Sequence, residues 1–131
     1  MSLVMERTNI NKNINIATTQ YEVWLADLQA DGSVQGGRRP VVILSNNLQN
    51  KFSPTVMVAP TTGSKTKRPL PTHVNLIAEE VGFVKDSVLL CEQTTSINKN
   101  RLIKKLIDLP INYQSKIAEA IRVAFAEISV Y

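Results

Sequence analysis

The sequence predicts a mainly β chain closed by one C-terminal α-helix. Two observations carry this. From residue 21 to 93, short apolar runs of strand-forming residues recur, separated by glycine, proline and Asp-Gly turn signals. After Pro110 the pattern changes, and Ile117, Ile121, Ala124, Phe125 and Ile128 fall on one face of a helix. Five or six closely spaced strands of this kind make a compact barrel or a sandwich. At 131 residues the chain is one domain, long enough to bury a core without staples.

Residues 1–19 differ in character. Residues 9–16 alternate amide and mostly apolar side chains. Asparagine is a poor strand former, so this stretch reads as a flexible extension and residues 20–131 as the domain. Residues 21–27 are the first strand. Residues 28–37 are a loop, with Asp31-Gly32 as its turn signal. Gly36-Gly37 lets the backbone bend and approach a ligand closely. Residues 39–45 are the second strand, and Pro40 is tolerated where the strand begins. Residues 55–62 are the third. A loop over 63–71 follows, with Lys65, Lys67 and Arg68 and no carboxylate. Residues 73–76 form a short strand, 81–83 a turn, and 87–93 a core strand. Residues 101–109 fit either a helix or a strand. Asn112 or Ser115 is the candidate cap of the final helix.

Composition excludes several classes. One cysteine, Cys91, rules out an intrachain disulfide and a cysteine-based metal cluster; within an apolar strand it reads as core. No run of 18 apolar residues spans a membrane. The N-terminus lacks the basic head and apolar block of a signal peptide, so a cytoplasmic protein is expected. One histidine, His73, sits in a short strand and reads as structural. Glu79-Glu80 reads as solvated loop. No metal-ligand spacing, Ser/His/Asp arrangement or Walker loop is present, and no cofactor is called for.

The net charge is +4, unevenly spread. Residues 36–105 hold eleven Lys/Arg against four Asp/Glu, while the flanks are mildly acidic. That is the footprint of a polyanion binder. Arg39, at the root of a rigid strand beside a glycine loop, points to an anion such as phosphate. Arginine, threonine, serine and lysine on strands and basic loops can still cleave RNA, because RNA carries its own nucleophile, the 2′-hydroxyl. The protein need only align it and stabilise the added negative charge. Arg39 can clamp phosphate oxygens in two places, and Thr62 can hold the phosphate by its hydroxyl. Taken singly, each has a plainer reading: Arg39 in a salt bridge to a loop carboxylate, and Thr62 as an ordinary strand-end threonine.

A set of ordered strings then becomes informative. They are Glu22-Val23-Trp24-Leu25-Ala26-Asp27-Leu28, Gln35-Gly36-Gly37-Arg38-Arg39-Pro40-Val41-Val42, Ser45-Asn46, and Phe52-Ser53-Pro54-Thr55. Val58-Ala59-Pro60 with Thr62, Pro71-Thr72-His73-Val74, and Lys85-Asp86-Ser87-Val88 follow. Glu92-Gln93, with Ile97 and Arg101-Leu102 behind it, completes the series. In this order and spacing the chain resembles the MazF/PemK family of toxin endoribonucleases from type II toxin–antitoxin modules.

The resemblance implies a small SH3-like β-barrel of the MazF/CcdB type with a C-terminal helix, acting as a homodimer. It implies metal-independent, sequence-specific cleavage of single-stranded RNA, leaving 2′,3′-cyclic phosphate and 5′-hydroxyl ends. It places the family's catalytic arginine on Arg39 and its catalytic threonine on Thr62. RNA binding is expected from Gln35, Gly36, Gly37, Arg38, Ser64, Lys65, Lys67, Arg68, Lys85, Gln93 and Thr95. A cognate antitoxin is implied, its acidic C-terminal tail lying in the basic groove, with DNA binding by the toxin–antitoxin complex. Arginine titrates above about 12 and is a poor base, so Arg39 is weighted toward charge stabilisation and the general base is unassigned. Two alternatives share the resemblance: a CcdB-like gyrase poison, and a catalytically weak RNA or antitoxin binder.

The chain departs from the family's usual pattern at four positions. Tyr21 stands for a glycine, Val34 for an acidic residue, Thr95 for an arginine and Asn98 for an aspartate. The lost arginine bears on cleavage rate and sequence preference. Either Lys85, Lys99 and Arg101 make up for it, or activity is weak.

Overall fold

The computed structural model describes residues 16–29, 32, 34–63 and 68–129. Residues 1–15, and Ser64, Lys65 and Lys67 of the basic loop, lie outside the described residues.

Seven antiparallel strands are built in chain order: β1 (Glu22–Leu28), β2 (Gly37–Ile43), β3 (Thr55–Thr62), β4 (His73–Leu76), β5 (Ser87–Leu90), β6 (Thr95–Asn98) and β7 (Leu102–Asp108). Helix α1 (Asn47–Phe52) precedes β3, α2 (Ala78–Val81) follows β4, and α3 (Ile111–Ala124) follows β7. The sheet order is β4-β5-β3-β2-β1-β7, with β6 also pairing β3. β3 is the hub: residues 55–58 pair with β6, 58–60 with β2, and 61–62 with β5. The sheet therefore curls about β3 in a barrel-like way, although its ladder does not close.

Both faces of the central strands are buried, because alternate side chains of a strand point opposite ways. Val23, Val42 and Ala59 face α3 and join Tyr113, Ile117, Ala120, Leu76 and Leu89 in one core. Trp24, Ala26, Leu28, Val41, Ile43, Val56 and Val58 fill the concave side with Leu102. Ile16 packs against that second cluster, Thr18 is buried, and the Thr19 N–H donates to Glu22 Oε1 at 2.8 Å. Glu22 is itself buried. It accepts from Trp24 Nε1 at 3.0 Å and meets Lys105 Nζ at 3.1 Å, which pins the start of β1 to β7.

Several elements differ from the sequence-based expectation. The ambiguous stretch 101–109 is strand β7, paired with β1. The second strand starts at Gly37 and ends at Ile43. The stretch 87–93 is strand only to Leu90; residues Cys91–Gln93 wind into a 3-10 turn. Strand β6 and helices α1 and α2 were not foreseen, and Glu79 and Glu80, read as solvated loop, lie in α2, where the Glu80 carboxylate accepts from the Tyr113 hydroxyl. Helix α1 is nonetheless capped in an orthodox way: Asn46 Oδ1 accepts from the Gln49 N–H at 3.0 Å. Helix α3 begins at Ile111 with Pro110 in the cap position, so neither Asn112 nor Ser115 caps it. Its buried stripe is Tyr113, Ile117 and Ala120; Phe125 and Ile128 lie past its last turn and are exposed.

Candidate functional site

Arg39 follows Ile43 and Val41 along the concave face of β2, at the strand's solvent end. The β2–β3 ladder records Val41↔Pro60. Continued by two residues, it sets Arg39 opposite Thr62. The Thr61 hydroxyl donates to the Pro40 carbonyl at 2.8 Å, which holds that end of the two strands together. Thr62 is buried at the end of β3. The two residues singled out from sequence are thus brought together from strands separated by a helix and two loops.

The Arg39 guanidinium is held by three acceptors, all uncharged. Nε donates to the Gly36 carbonyl at 2.8 Å, and Nη1 donates to the Thr61 carbonyl at 2.9 Å and to Gln35 Oε1. Among the described residues no carboxylate pairs with Arg39 and nothing bonds to Nη2. A guanidinium has five N–H groups. Three are engaged, and the two on Nη2 remain to meet a ligand. The two-point clamp expected of Arg39 is therefore limited in this state to what Nη2 can offer, unless another contact is released.

Beside Arg39 lies a groove of about 540 Å³. One wall comes from the β1–β2 connection: Asp27, Leu28, Gln29, Val34 and Gln35. The other comes from Gln93, Thr95, Ser96, Ile97, Asn98 and Arg101, with Pro60 between. An adjoining hollow adds Arg38, Asn100 and Ile103. The groove is closed at one point by a direct contact, in which the Gln35 N–H donates to Gln93 Oε1 at 2.9 Å.

Of the residues expected to bind RNA, Gln35, Gln93 and Thr95 line this groove and Arg38 the hollow beside it. Gly36 supplies a carbonyl to Arg39, and Gly37 sits at φ 75, a left-handed conformation that favours glycine. The Lys85 side chain lies against Gly63, so close that a Cβ there would collide with its Cε; it stands at the residue after Thr62 rather than in the groove. Arg68 is exposed and lines neither the groove nor the hollow. Ser64, Lys65 and Lys67 lie outside the described residues. Sequence reading missed Asp27 and Ser96, which nothing in their local pattern distinguishes.

Of the three cations expected to make up for Thr95, the structure corrects Lys99. Its side chain is fully buried, and Nζ donates to the Asn50 carbonyl behind β3. Burial lowers its pKa. Arg101, two residues on, does line the groove. His73 has a structural place: Nδ1 accepts from the Leu70 N–H at 3.2 Å, so the ring proton sits on Nε2 and is shared with Glu92 Oε2 at 2.9 Å. Burial and the neighbouring Glu92 push the Cys91 thiol up to about 12, which makes it inert rather than nucleophilic. Among the described residues no group of three or more His, Cys, Asp and Glu could hold a metal ion. No helix among them is long and apolar enough to cross a membrane.

Comparison with known proteins places this arrangement. The family model described as PemK-like, MazF-like toxin of type II toxin–antitoxin system matches residues 19–125. Endoribonuclease EndoA of Bacillus subtilis is 44% identical over 108 residues, which is 82% of this chain and 93% of that protein. Endoribonuclease MazF of Staphylococcus saprophyticus is 45% identical over 104 residues, covering 79% of this chain and 87% of that one. Among solved structures, Mycobacterium tuberculosis toxin MazF-mt6 superposes with a TM-score of 0.68 at 30% identity, over 79% of this chain and 95% of its own. An endoribonuclease in complex with its cognate antitoxin, from a mycobacterial species, superposes with a TM-score of 0.68 at 23% identity, over 82% and 94%. At that identity the last likeness is one of fold.

Proposed function

We propose, for a chain that belongs to the PemK-like, MazF-like family of type II toxin–antitoxin toxins, that it is a cytoplasmic endoribonuclease cutting single-stranded RNA at the junction of Arg39, Thr62 and the groove. The observation that carries this reading is the Arg39 guanidinium, fixed on its Nε and Nη1 sides with Nη2 left to meet an anion.

The chemistry follows from what RNA brings. The 2′-hydroxyl attacks the adjacent phosphorus, and the 5′-oxygen of the next nucleotide leaves. Products then carry a 2′,3′-cyclic phosphate and a 5′-hydroxyl. In the transition state the non-bridging oxygens gain negative charge. Arg39, already oriented, meets that charge without reorganising, which is where preorganised donors do most for rate. The Thr62 hydroxyl holds the same phosphate from the facing strand. The flanking nucleotides lie along the groove, whose amides and hydroxyls at Gln29, Thr95, Ser96 and Asn98 suit base edges better than a purely charged surface would. Lys85 adds positive charge at the residue after Thr62, and Arg101 adds it in the groove.

The partners follow from the same surface. An acidic antitoxin tail lies across the groove, meeting Arg38, Arg39 and Arg101 around it, and excludes RNA, and complementary charge speeds the encounter. Two copies form the working unit, and the exposed Phe125 and Ile128 beyond α3 are apolar surface that a second copy can cover.

The test is cleavage of a long single-stranded RNA in EDTA. Discrete cuts are expected, slowed at least about a hundredfold in Arg39→Ala, the scale on which one preorganised donor matters. No cuts from folded, antitoxin-free protein, or undiminished cuts by Arg39→Ala, would overturn the reading.

A further inference from the structure

Three residues from three elements form a chain that ends on the Arg39 guanidinium. Gln93, at the end of the 3-10 turn after β5, accepts from the Gln35 backbone N–H at 2.9 Å. Gln35 turns its own side chain back, and its Oε1 accepts from Arg39 Nη1. The Gly36 carbonyl, next in sequence, takes Arg39 Nε at 2.8 Å. Two of the three acceptors on Arg39 therefore sit in the short segment that Gln93 anchors. Only the Thr61 carbonyl holds Arg39 independently of it.

We propose that Gln35 and Gln93 are positioning residues for Arg39, Gln93 acting through Gln35, rather than independent contacts to RNA. The inference rests on the ribonuclease reading above. An arginine side chain has four rotatable bonds and is costly to immobilise at the moment of binding. Here the immobilisation is complete before the ligand arrives. Gln35 Oε1 and the Gly36 and Thr61 carbonyls take the Nε and Nη1 hydrogens, so Nη2 is the only corner left to face the phosphate. Without the Gln93 contact, the segment carrying Gln35 and Gly36 loses its anchor, and both acceptors drift together. The catalytic group remains present but is less well aimed, and misplacement of about an ångström is enough to slow chemistry severely.

This separates from direct reading of RNA by the same two glutamines. A lost positioning contact lowers kcat and leaves KM near its original value, whereas a lost contact made equally to bound substrate and transition state raises KM. A serial chain is also non-additive: breaking it twice costs no more than breaking it once.

The test is a double-mutant cycle with Gln35→Met and Gln93→Met, which keep side-chain length and remove the acceptors. A second cycle with alanine at the same positions guards against an effect of bulk. The substrate is a fluorogenic single-stranded oligoribonucleotide carrying one cut site mapped beforehand on long RNA, with wild type and Arg39→Ala run alongside. Gln35→Met is expected to lower kcat about tenfold and Gln93→Met, which releases both acceptors, at least as much, each with KM within about twofold, and the double variant to match Gln93→Met. Multiplying losses in the double variant would overturn the proposal, as would a KM rise with kcat preserved. A kcat gain in Gln35→Met would also overturn it, showing that Gln35 competes with the phosphate. If wild type does not cleave, or cleaves as well without Arg39, the ribonuclease reading itself fails; if only the cycle is additive, the positioning role alone fails.

Discussion

Tyr21 holds a φ of 71, the one left-handed non-glycine residue among those described. That conformation costs a residue bearing a Cβ about 1–2 kcal/mol. The position is fixed from both sides: the Tyr21 N–H donates to the Ile43 carbonyl at 2.7 Å, and its own carbonyl accepts from the Leu109 N–H at 3.1 Å. The ring recovers part of the cost by packing on the helix-side core. Tyr21→Gly relieves the strain and loses the ring, while Tyr21→Ala loses the ring and keeps the strain. The glycine variant is therefore expected to be the more stable of the two by about 1 kcal/mol, the reverse of the usual order in a strand. Urea unfolding of both variants measures this, and an alanine variant at least as stable would contradict it. Cys91 gives a pH prediction. Its folded pKa of about 12 lies above the ordinary thiol value near 9, so the unfolded state sheds its proton first as pH rises. Its stabilising contribution is complete below about pH 9 and declines from there toward 12. At pH 8 the native protein should leave Cys91 unmodified by Ellman's reagent, with labelling only on unfolding; rapid native labelling would contradict the burial. At this scale the sequence named Arg39, Thr62 and the odd residue at position 21. It did not show that the partners of Arg39 are carbonyls and an amide rather than a loop carboxylate, because one is backbone brought in by β3 and the other two depend on how residues 35 and 36 fold back on the start of β2. It misjudged Lys99, since the 3-10 turn Lys99–Arg101 rotates it inward while leaving Arg101 at the groove.

Helix α3 closes one face of the sheet through Tyr113, Ile117 and Ala120, spaced by four and three residues. Ile117 is fully buried, and Ile117→Ala should cost about 2–5 kcal/mol, since the transfer term and the cavity add. Ile111 is 82% exposed, and its alanine variant should lie within about 0.5 kcal/mol of wild type. Thermal unfolding of the pair checks both, and equal effects would mean that the helix docks by another face. The helix was legible because its period persists over several turns. Its end was not: Phe125 and Ile128 continue the period in sequence, but the chain leaves the helix after Ala124. Strand β7 was ambiguous for a physical reason. Its pairing with β1 carries two register shifts, so the inward and outward alternation that marks a strand is broken. Strand β6 and helix α1 are four and six residues long, too short for periodicity to speak.

At the scale of the whole molecule the groove lies beside the start of β2, with Arg38, Arg39 and Arg101 around it. RNA binding held by such a surface must weaken as salt rises, with a log–log slope of roughly −0.7 for each phosphate neutralised on a single strand. Fluorescence anisotropy across a salt series measures it, and a flat response would mean that the groove does not track the backbone. An acidic antitoxin peptide should compete with that binding, and simultaneous, independent binding of both would contradict a shared groove. The overall architecture was the most legible level, because strand spacing and one terminal helix leave few ways to bury both faces of the central strands. The central claim is that RNA supplies the nucleophile and the protein supplies alignment and charge at Arg39 and Thr62. The most direct measurement is cleavage of a single-site oligoribonucleotide in which only the nucleotide 5′ of the scissile phosphate is 2′-deoxy. Binding retained with cleavage abolished is the predicted result; cleavage persisting at that bond would show that another nucleophile does the work.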